Sequence, residues 1–514
     1  MSDAGMFCFQ CEQTAGGKGC TRVGVCGKQP DVAGKQDQLT AAMIEVARAA
    51  HGKAAGGATD ELLMQGLFAT VTNVNFDGTR IDALIAQAKA ATARLGGAPA
   101  YDPQALFHGD ADATSLRATL LFGLRGMAAY AWHAHVLGVD DPVVTGWHYK
   151  GLLEIGRDHS VEEWLALLME FGKVNLTCME ILDRANTTAY GHPVPTSVST
   201  SREPGPFIVI TGHDLLDLAD LLKQLEGTDI KVYTHGEMLP AHMYPKLHKH
   251  PNLAGHYGTA WQNQEEEFAM FPGPVIATTN CVLIPPAQYA KRIFTTRATA
   301  VPGGTRINGN DFSPVIAKAR QCPPCKEHLV GKSQVGFHRQ VLLDLAPTIV
   351  DAVKAGKISR FFVIGGCDGA EPGRNYFSDY AQATPPDSFI LTLGCGKFRI
   401  RNHDHGQLLG LPRLLDMGQC NDAYGAIQVA VALADAFGCS VNELPLTLVI
   451  SWFEQKAVAV LLTLLSLNIQ GITLGPTPPA FITPAVFKIL QDKYKLRLIG
   501  QDAKADLAAI TGRN

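Results

Sequence analysis

The stretch Phe361–Glu371, FFVIGGCDGAE, decides how the chain reads. Four apolar residues run into two glycines and a cysteine, the pattern of a buried parallel strand that delivers a thiol at its carboxyl end. The design repeats. FILTLG leads to Cys395, PVIATTN to Cys281, LDMGQ to Cys420, LTLVISWF to Glu454, FIVITG to His213 and IKVYTHG to Glu237. Open α/β sheets bind ligands beyond the carboxyl ends of their strands, so these strand ends can converge on one buried site.

Four thiols, one imidazole and two carboxylates suit neither a lone zinc, which takes four ligands, nor a plain iron-sulfur cube, which takes thiolates alone. Their combined charge exceeds what one divalent ion balances, and buried charge must be compensated. Mixed sulfur and hard oxygen donors imply a polynuclear iron centre bridged by sulfide and oxygen, with one iron open to substrate.

Length points to more than one core, with about three domains for 514 residues. The composition is ordinary: 46% hydrophobic, 18% charged, net charge -4. It marks neither a nucleic-acid binder nor a membrane-surface protein. Leu116–Val139 carries Arg and His and Ala457–Leu467 is too short to span a bilayer, so both read as buried helices. The amino terminus, MSDAGMFCFQCEQ, shows no secretory pattern, and 12 cysteines without an export signal argue for thiols kept reduced in the cytosol.

Near the start stands Cys8-x2-Cys11-x8-Cys20-x5-Cys26 in a Gly-rich, aperiodic loop that gains order by wrapping a metal. Zinc and a four-iron cluster both fit this motif alone. The second site tips the reading to iron, because a buried redox centre needs an electron relay.

From Asp37 to about Tyr190, five segments carry apolar residues at spacings of three and four, as in one or two helical bundles. Cys178 lies in one of them as a packing thiol. Val194–Pro206 is a linker by composition. Beyond it, strand, helix and strand alternate, giving a first doubly wound domain to about Leu345 and a second over Ala346–Asn514. The expected division is 1–200 helical, 201–345 and 346–514 Rossmann-like. GHDLLD is no dinucleotide fingerprint and no phosphate-binding loop is present, so electrons must come from a partner.

Lys456 falls in the first turn of a helix beside Glu454, where a cation opposes the helix dipole. Offsetting the charge of the site or handing protons to substrate explains it. His235 competes with Glu237, which is preferred as nearer the loop tip. His242, His248, His250, His256, His403 and His405 read as unliganded residues of polar loops. Cys322-Pro-Pro-Cys325 is an accessory thiol pair without a preceding strand, and Cys439 is structural.

The stretches MFCFQCEQT, TGHDL, THGEMLPAHMYP, TTNCVL, GGCDGAEPGRNYF, LGCGKFR, GQCNDAYGA and SWFEQKAV together resemble the hybrid cluster proteins, also called prismane proteins or hydroxylamine reductases. The likeness runs over essentially the whole chain. It implies a multidomain fold, a helical domain followed by two Rossmann-like α/β domains with the hybrid cluster at their interface, as in carbon monoxide dehydrogenases. By that resemblance Cys8, Cys11, Cys20 and Cys26 hold a 4Fe-4S cubane, in the subclass with tight spacing. His213, Glu237, Cys281, Cys367, Cys395, Cys420 and Glu454 match the ligands of a hybrid cluster of 4Fe-2O-2S type, with Cys367 as a persulfide and Lys456 cluster-adjacent. The CPPC pair is outside the family pattern.

The activity this implies is reduction of hydroxylamine to ammonia and water, with Glu237, Glu454 and Lys456 as catalytic residues. A ferredoxin or an NADH-dependent oxidoreductase is the implied donor. Reduction of nitric oxide to nitrous oxide under nitrosative stress, and S-nitrosylation through Cys322 and Cys325, are the alternatives. Carbon monoxide oxidation fits an oxygen-rich donor set less well.

Overall fold

The computed structural model describes residues 5–512; the outer ends of the expected first and third domains, residues 1–4 and 513–514, lie outside that range. Six long helices come first: α1 (Pro30–Ala49), α2 (Ala58–Ala69), α3 (Gly78–Arg94), α4 (Ala111–His135), α5 (Pro142–Ile155) and α6 (Val161–Tyr190). Their starts follow from local chemistry. Pro30 occupies a first-turn position, Asp110 accepts from the backbone of Asp112 and Ala113, and Ser160 with Glu163 closes a capping box. The periodicity had not singled out α5, whose start is nonetheless signalled by Asp141 and Pro142.

Two six-stranded parallel sheets follow. The first contains β2 (Phe207–Thr211), β3 (Lys231–His235), β4 (Leu253–His256), β5 (Val275–Ala277), β6 (Ile293–Thr295) and β7 (Thr305–Arg306), in the order β4-β3-β2-β5-β6-β7. The second contains β9 (Arg360–Gly366), β10 (Ser388–Thr392), β13 (Leu414–Asp416), β14 (Leu446–Ser451), β15 (Thr473–Gly475) and β16 (Arg497–Leu498), in the order β13-β10-β9-β14-β15-β16. Among the described residues two short ribbons complete the strands: β1 (Thr196–Ser199) with β8 (Lys332–Val335), and β11 (Gln407–Leu408) with β12 (Leu411–Pro412).

Counted within itself, each sheet has the order 3-2-1-4-5-6, so the direction in which successive strands are added reverses between its first and fourth strands, which stay parallel. Every residue of β2 and β10 is buried, because helices cover both faces of a parallel sheet. The mixed helical and α/β architecture is the one the sequence implies.

Two local readings change. The Val194–Pro206 stretch is not wholly a linker, since Thr196–Ser199 pairs antiparallel with Lys332–Val335. Thr196 and Val198 turn inward and alternate with Ser197 and Ser199, and serine serves as a strand residue once a partner strand satisfies its backbone. His242, His256 and His405 are buried rather than exposed in polar loops: the first two are joined through the Thr234 hydroxyl at 3.1 and 3.0 Å, and His405 Nε2 lies 2.8 Å from the Ile400 carbonyl.

The helical and α/β parts are knit together. Helix Gln455–Ser466, directly after β14, packs on α4 and α6. A Cβ at Gly126 of α4 would collide with the Gln455 carbonyl, so glycine is what lets the two backbones approach.

Candidate metal centre

The strand order explains why distant residues meet. His213 and Cys281 follow β2 and β5, the pair flanking the reversal of the first sheet, while Cys367 and Glu454 follow β9 and β14 at the reversal of the second. Glu237, Cys395 and Cys420 follow β3, β10 and β13. Carboxyl ends of strands of the two sheets thus supply the whole set, four of the seven from the strands that flank the reversals and Glu237, Cys395 and Cys420 from strands further out.

Three of these residues form one tight group. The ligand atoms of His213, Glu237 and Cys420 all lie within 4.8 Å of one another. His213 Nε2 stands 3.3 Å from Cys420 Sγ and 3.8 Å from Glu237 Oε2. Nδ1 of the same ring faces the Asn280 carbonyl at 2.8 Å, a contact that places the proton on Nδ1 and leaves Nε2 free to ligate.

Glu454 is oriented from two sides. Asn280 Nδ2 donates to Oε1 at 3.2 Å, and the Lys456 backbone N–H donates to Oε2 at 2.8 Å. The Lys456 ammonium lies 3.4 Å from Asn421 Oδ1, beside Cys420. Burial pulls that ammonium down, but Cys420, Glu454 and Cys281 around it raise it further, so it stays charged.

The electrostatics fit a metal. Burial pushes the thiols of Cys281, Cys395 and Cys420 well above the ordinary range, and burial with the nearby Glu454 carboxylate pushes Cys367 up to about 12. Glu237 and Glu454 are also raised by burial. Groups this reluctant to ionise alone are what a polycation releases from their protons. Glu237 Oε1 is buried with no hydrogen-bond partner among the described residues, an orphaned acceptor that a cation would satisfy.

The amino-terminal cysteines form a second set. Cys8 and Cys20 pair across an antiparallel bridge, and Cys8, Cys11, Cys20 and Cys26 line one small cavity as free thiols. Burial, with mutual repulsion from Cys8 and Cys26, raises Cys11; burial also raises Cys26. Four unpaired thiols around one void suit a four-thiolate metal site.

Other candidates fall elsewhere. His235 is engaged by Glu267 at 2.7 Å and by Thr211, which leaves Glu237 as the member of the tight group. Cys322 caps the carboxyl end of helix Ser313–Gln321, while Cys325 is buried and bridged to Gly205. Cys178 is buried in α6, with Sγ 3.5 Å from the Met127 carbonyl.

Sequence reasoning missed Asn280, Asn421 and Arg374, which orient the site rather than ligate it. Asn280 was visible only as the residue before Cys281. A cavity of about 440 Å³ was also illegible, lined mainly by Leu, Ile, Val and Phe, with Tyr130, Cys367 and Cys420 also on its wall.

Residues 6–507 match the model of the Prismane/CO dehydrogenase family. The chain belongs to that family. Within the Prismane/CO dehydrogenase family it is similar to the hydroxylamine reductase of Solidesulfovibrio magneticus, 48% identical over 539 residues, covering 99% of this chain and 100% of that protein. The hydroxylamine reductase of Moorella thermoacetica is likewise 48% identical, over 509 residues, with the same coverage. Among solved structures, the carbon monoxide dehydrogenase of Thermococcus sp. AM4 is 16% identical with a TM-score of 0.58, over 99% of this chain and 90% of that one. Carbon monoxide dehydrogenase IV of Carboxydothermus hydrogenoformans gives 15% and 0.58, over 96% and 89%. At such identities the likeness speaks for the fold alone. Family and donor set together mark an iron-sulfur protein.

Proposed function

We propose that this protein reduces hydroxylamine to ammonia and water, taking two electrons and two protons per turnover. The observation that carries the reading is the tight group of His213, Glu237 and Cys420, drawn from both sheets and set beside a buried, charged Lys456. Relatives bearing the name hydroxylamine reductase, at 48% identity over nearly the whole chain, support it.

In this reading Cys8, Cys11, Cys20 and Cys26 hold a 4Fe-4S cubane. His213, Glu237, Cys281, Cys367, Cys395, Cys420 and Glu454 hold the hybrid iron-sulfur-oxygen cluster, with Cys367 as persulfide. When bound, the hybrid centre supplies electrons and Lewis acidity to the N–O group. Lys456 holds a proton at Nζ and, with Glu454 or Glu237, delivers protons so that the hydroxyl leaves as water. Asn280 keeps Glu454 aimed at the site. Electrons enter from a low-potential carrier, a ferredoxin or an NADH-dependent oxidoreductase, in the cytosol. Among the described residues no helix is long and apolar enough to cross a membrane.

The second reading is nitric oxide reduction in nitrosative stress. The apolar cavity touching Cys367 and Cys420 favours it, because a neutral diatomic partitions into such a space and a polar amine does not. Steady-state turnover of both substrates with one low-potential donor separates them. Negligible hydroxylamine turnover beside rapid nitric oxide turnover would reverse the order. S-nitrosylation by the thiol pair predicts loss of transfer in a Cys322→Ser, Cys325→Ser double variant with amine production intact, and nickel in a metal analysis would reopen carbon monoxide chemistry.

A further inference from the structure

The two iron-binding regions touch through a small, fully buried polar network. Gln10 and Glu12 flank Cys11, while Phe453 and Gln455 flank Glu454. The Glu12 backbone N–H donates to the Phe453 carbonyl at 3.0 Å. Gln455 Nε2 donates to the Gln10 carbonyl at 2.6 Å, and its Oε1 accepts from the Thr72 backbone N–H at 2.7 Å. The Gln10 side chain is fixed in turn by Thr70, Thr72 and Arg125.

An ion pair makes a third connection. Arg374 Nη2 donates to Glu12 Oε2 and to the Trp452 carbonyl, both at 2.9 Å, and Nη1 donates to the Cys367 carbonyl at 3.2 Å. Arg374 is 1% exposed, Glu12 6% and Gln455 0%. Burying an arginine, a glutamate and a glutamine is expensive, the more so because Glu12 Oε1 and Arg374 Nε have no hydrogen-bond partner among the described residues, and well-packed apolar residues would hold two domains together at lower cost. The network therefore asks for a reason beyond cohesion.

We propose that Gln455 and the Glu12–Arg374 ion pair are positioning residues for electron transfer: they fix the gap between the Cys11 loop and the Cys367 and Glu454 loops and form the bonded path across it. From Cys11, one peptide and one hydrogen bond reach the Phe453–Glu454 backbone. Through Gln455 the path returns to the same residue from the other side, and through Arg374 it reaches Cys367. One electron leaves the amino-terminal centre and one arrives at the interface centre, the first being replaced by an external low-potential one-electron donor. Donor and acceptor separation controls such a step steeply, so a rigid buried bridge sets its rate where a hydrated or mobile contact would not. This inference rests on the reading of both sites as iron-sulfur centres.

The test uses iron-loaded full-length protein. Gln455→Leu keeps the volume and removes both side-chain hydrogen bonds, Arg374→Gln removes the ion pair, and Arg374→Lys keeps the charge. Iron content, the electron paramagnetic resonance signals and the midpoint potentials of both centres are measured first. Rapid-freeze spectroscopy then follows the electron from the amino-terminal to the interface centre after mixing with reduced methyl viologen. Gln455→Leu is expected to slow that transfer about tenfold at unchanged potentials, because small misplacements of reacting partners have large rate costs. Arg374→Gln slows it as well, the double variant slows it more, and Arg374→Lys recovers part of the rate. Transfer at the wild-type rate in the loaded double variant overturns the inference. Should Gln455→Leu fail to load iron, Arg374→Gln against wild type decides: slowed transfer at unchanged potentials supports the inference and transfer at the wild-type rate overturns it. A wild-type protein lacking an iron-sulfur centre at Cys8–Cys26 would instead overturn the functional reading, and this inference with it.

Discussion

Glu237 and Cys420 follow strands of different sheets, yet the Cys420 backbone N–H donates to Glu237 Oε2 at 2.8 Å, and this contact closes the site across the interface of the two α/β units. The bond uses one carboxylate oxygen and leaves Oε1 without a partner among the described residues. Glu237→Gln keeps an acceptor for the Cys420 N–H and removes the charge. It is expected to preserve the fold and lower iron affinity at the interface about 10–100-fold, the size of effect seen when a metal-site partner is lost. Iron stoichiometry and Mössbauer spectra check it; an unchanged spectrum would strike Glu237 from the ligand set.

The amino-terminal loop makes a separable prediction. Cys11 is buried, and the loop around it has little apolar core of its own beyond Met6, Cys20 and Ala33. Cys11→Ser is expected to lose the amino-terminal iron and to leave the interface iron in place, since the interface ligands hang from the two sheets. Turnover with a protein donor should fall to background. Retention of both spectroscopic signatures would show that Cys11 does not ligate.

How much of this was readable in the chain depends on the range of the interaction. Strand ends such as FILTLG before Cys395 and LTLVISWF before Glu454 were legible because a continuous apolar run stopped by a polar or sulfur residue is a local signal. Their convergence was legible only as a rule about parallel sheets, and the reversal between β2 and β5 and between β9 and β14 is what realises it. Helix α5 escaped because Gly, His and Tyr interrupt its apolar spacing. Asn280, Arg374 and Gln455 could not be found: their bonds to Glu454, Glu12 and Gln10 span 174, 362 and 445 positions, and nothing beside them in sequence announces those partners. His242 and His256 were misjudged for the same reason, as burial by distant segments overrides a polar neighbourhood.

Lys456 separates two roles that coincide in position. As a proton donor, its loss in Lys456→Met should lower kcat about 10²–10⁴-fold with iron retained and KM little changed. As a counter-ion only, the same variant should lose interface iron, because Cys420, Glu454 and Cys281 would keep their charges without an opposite one nearby. Parallel iron and kcat measurements distinguish the outcomes. We expect full iron with slow turnover.

His148 in α5 gives a prediction about stability with a fixed sign. The ring is buried, neither nitrogen has a hydrogen-bond partner among the described residues, and burial lowers its pKa to about 4 from the ordinary 6.5. The folded protein therefore resists protonation there while the unfolded chain accepts it near pH 6.5. The contribution of a neutral His148 is fully present above pH 6.5 and is lost as pH falls toward about 4. Between pH 6.5 and pH 5 the loss amounts to about 2 kcal/mol at about 1.4 kcal/mol per pH unit. His148→Leu removes the titrating group and fills similar space with apolar atoms, so its stability should decline less over that window while matching or exceeding wild type at pH 7. Denaturant titrations of the iron-loaded proteins at pH 7, 6 and 5 measure the difference, which cancels the titrations common to both. Curves that fall in parallel would mean that His148 finds a proton partner in the folded state.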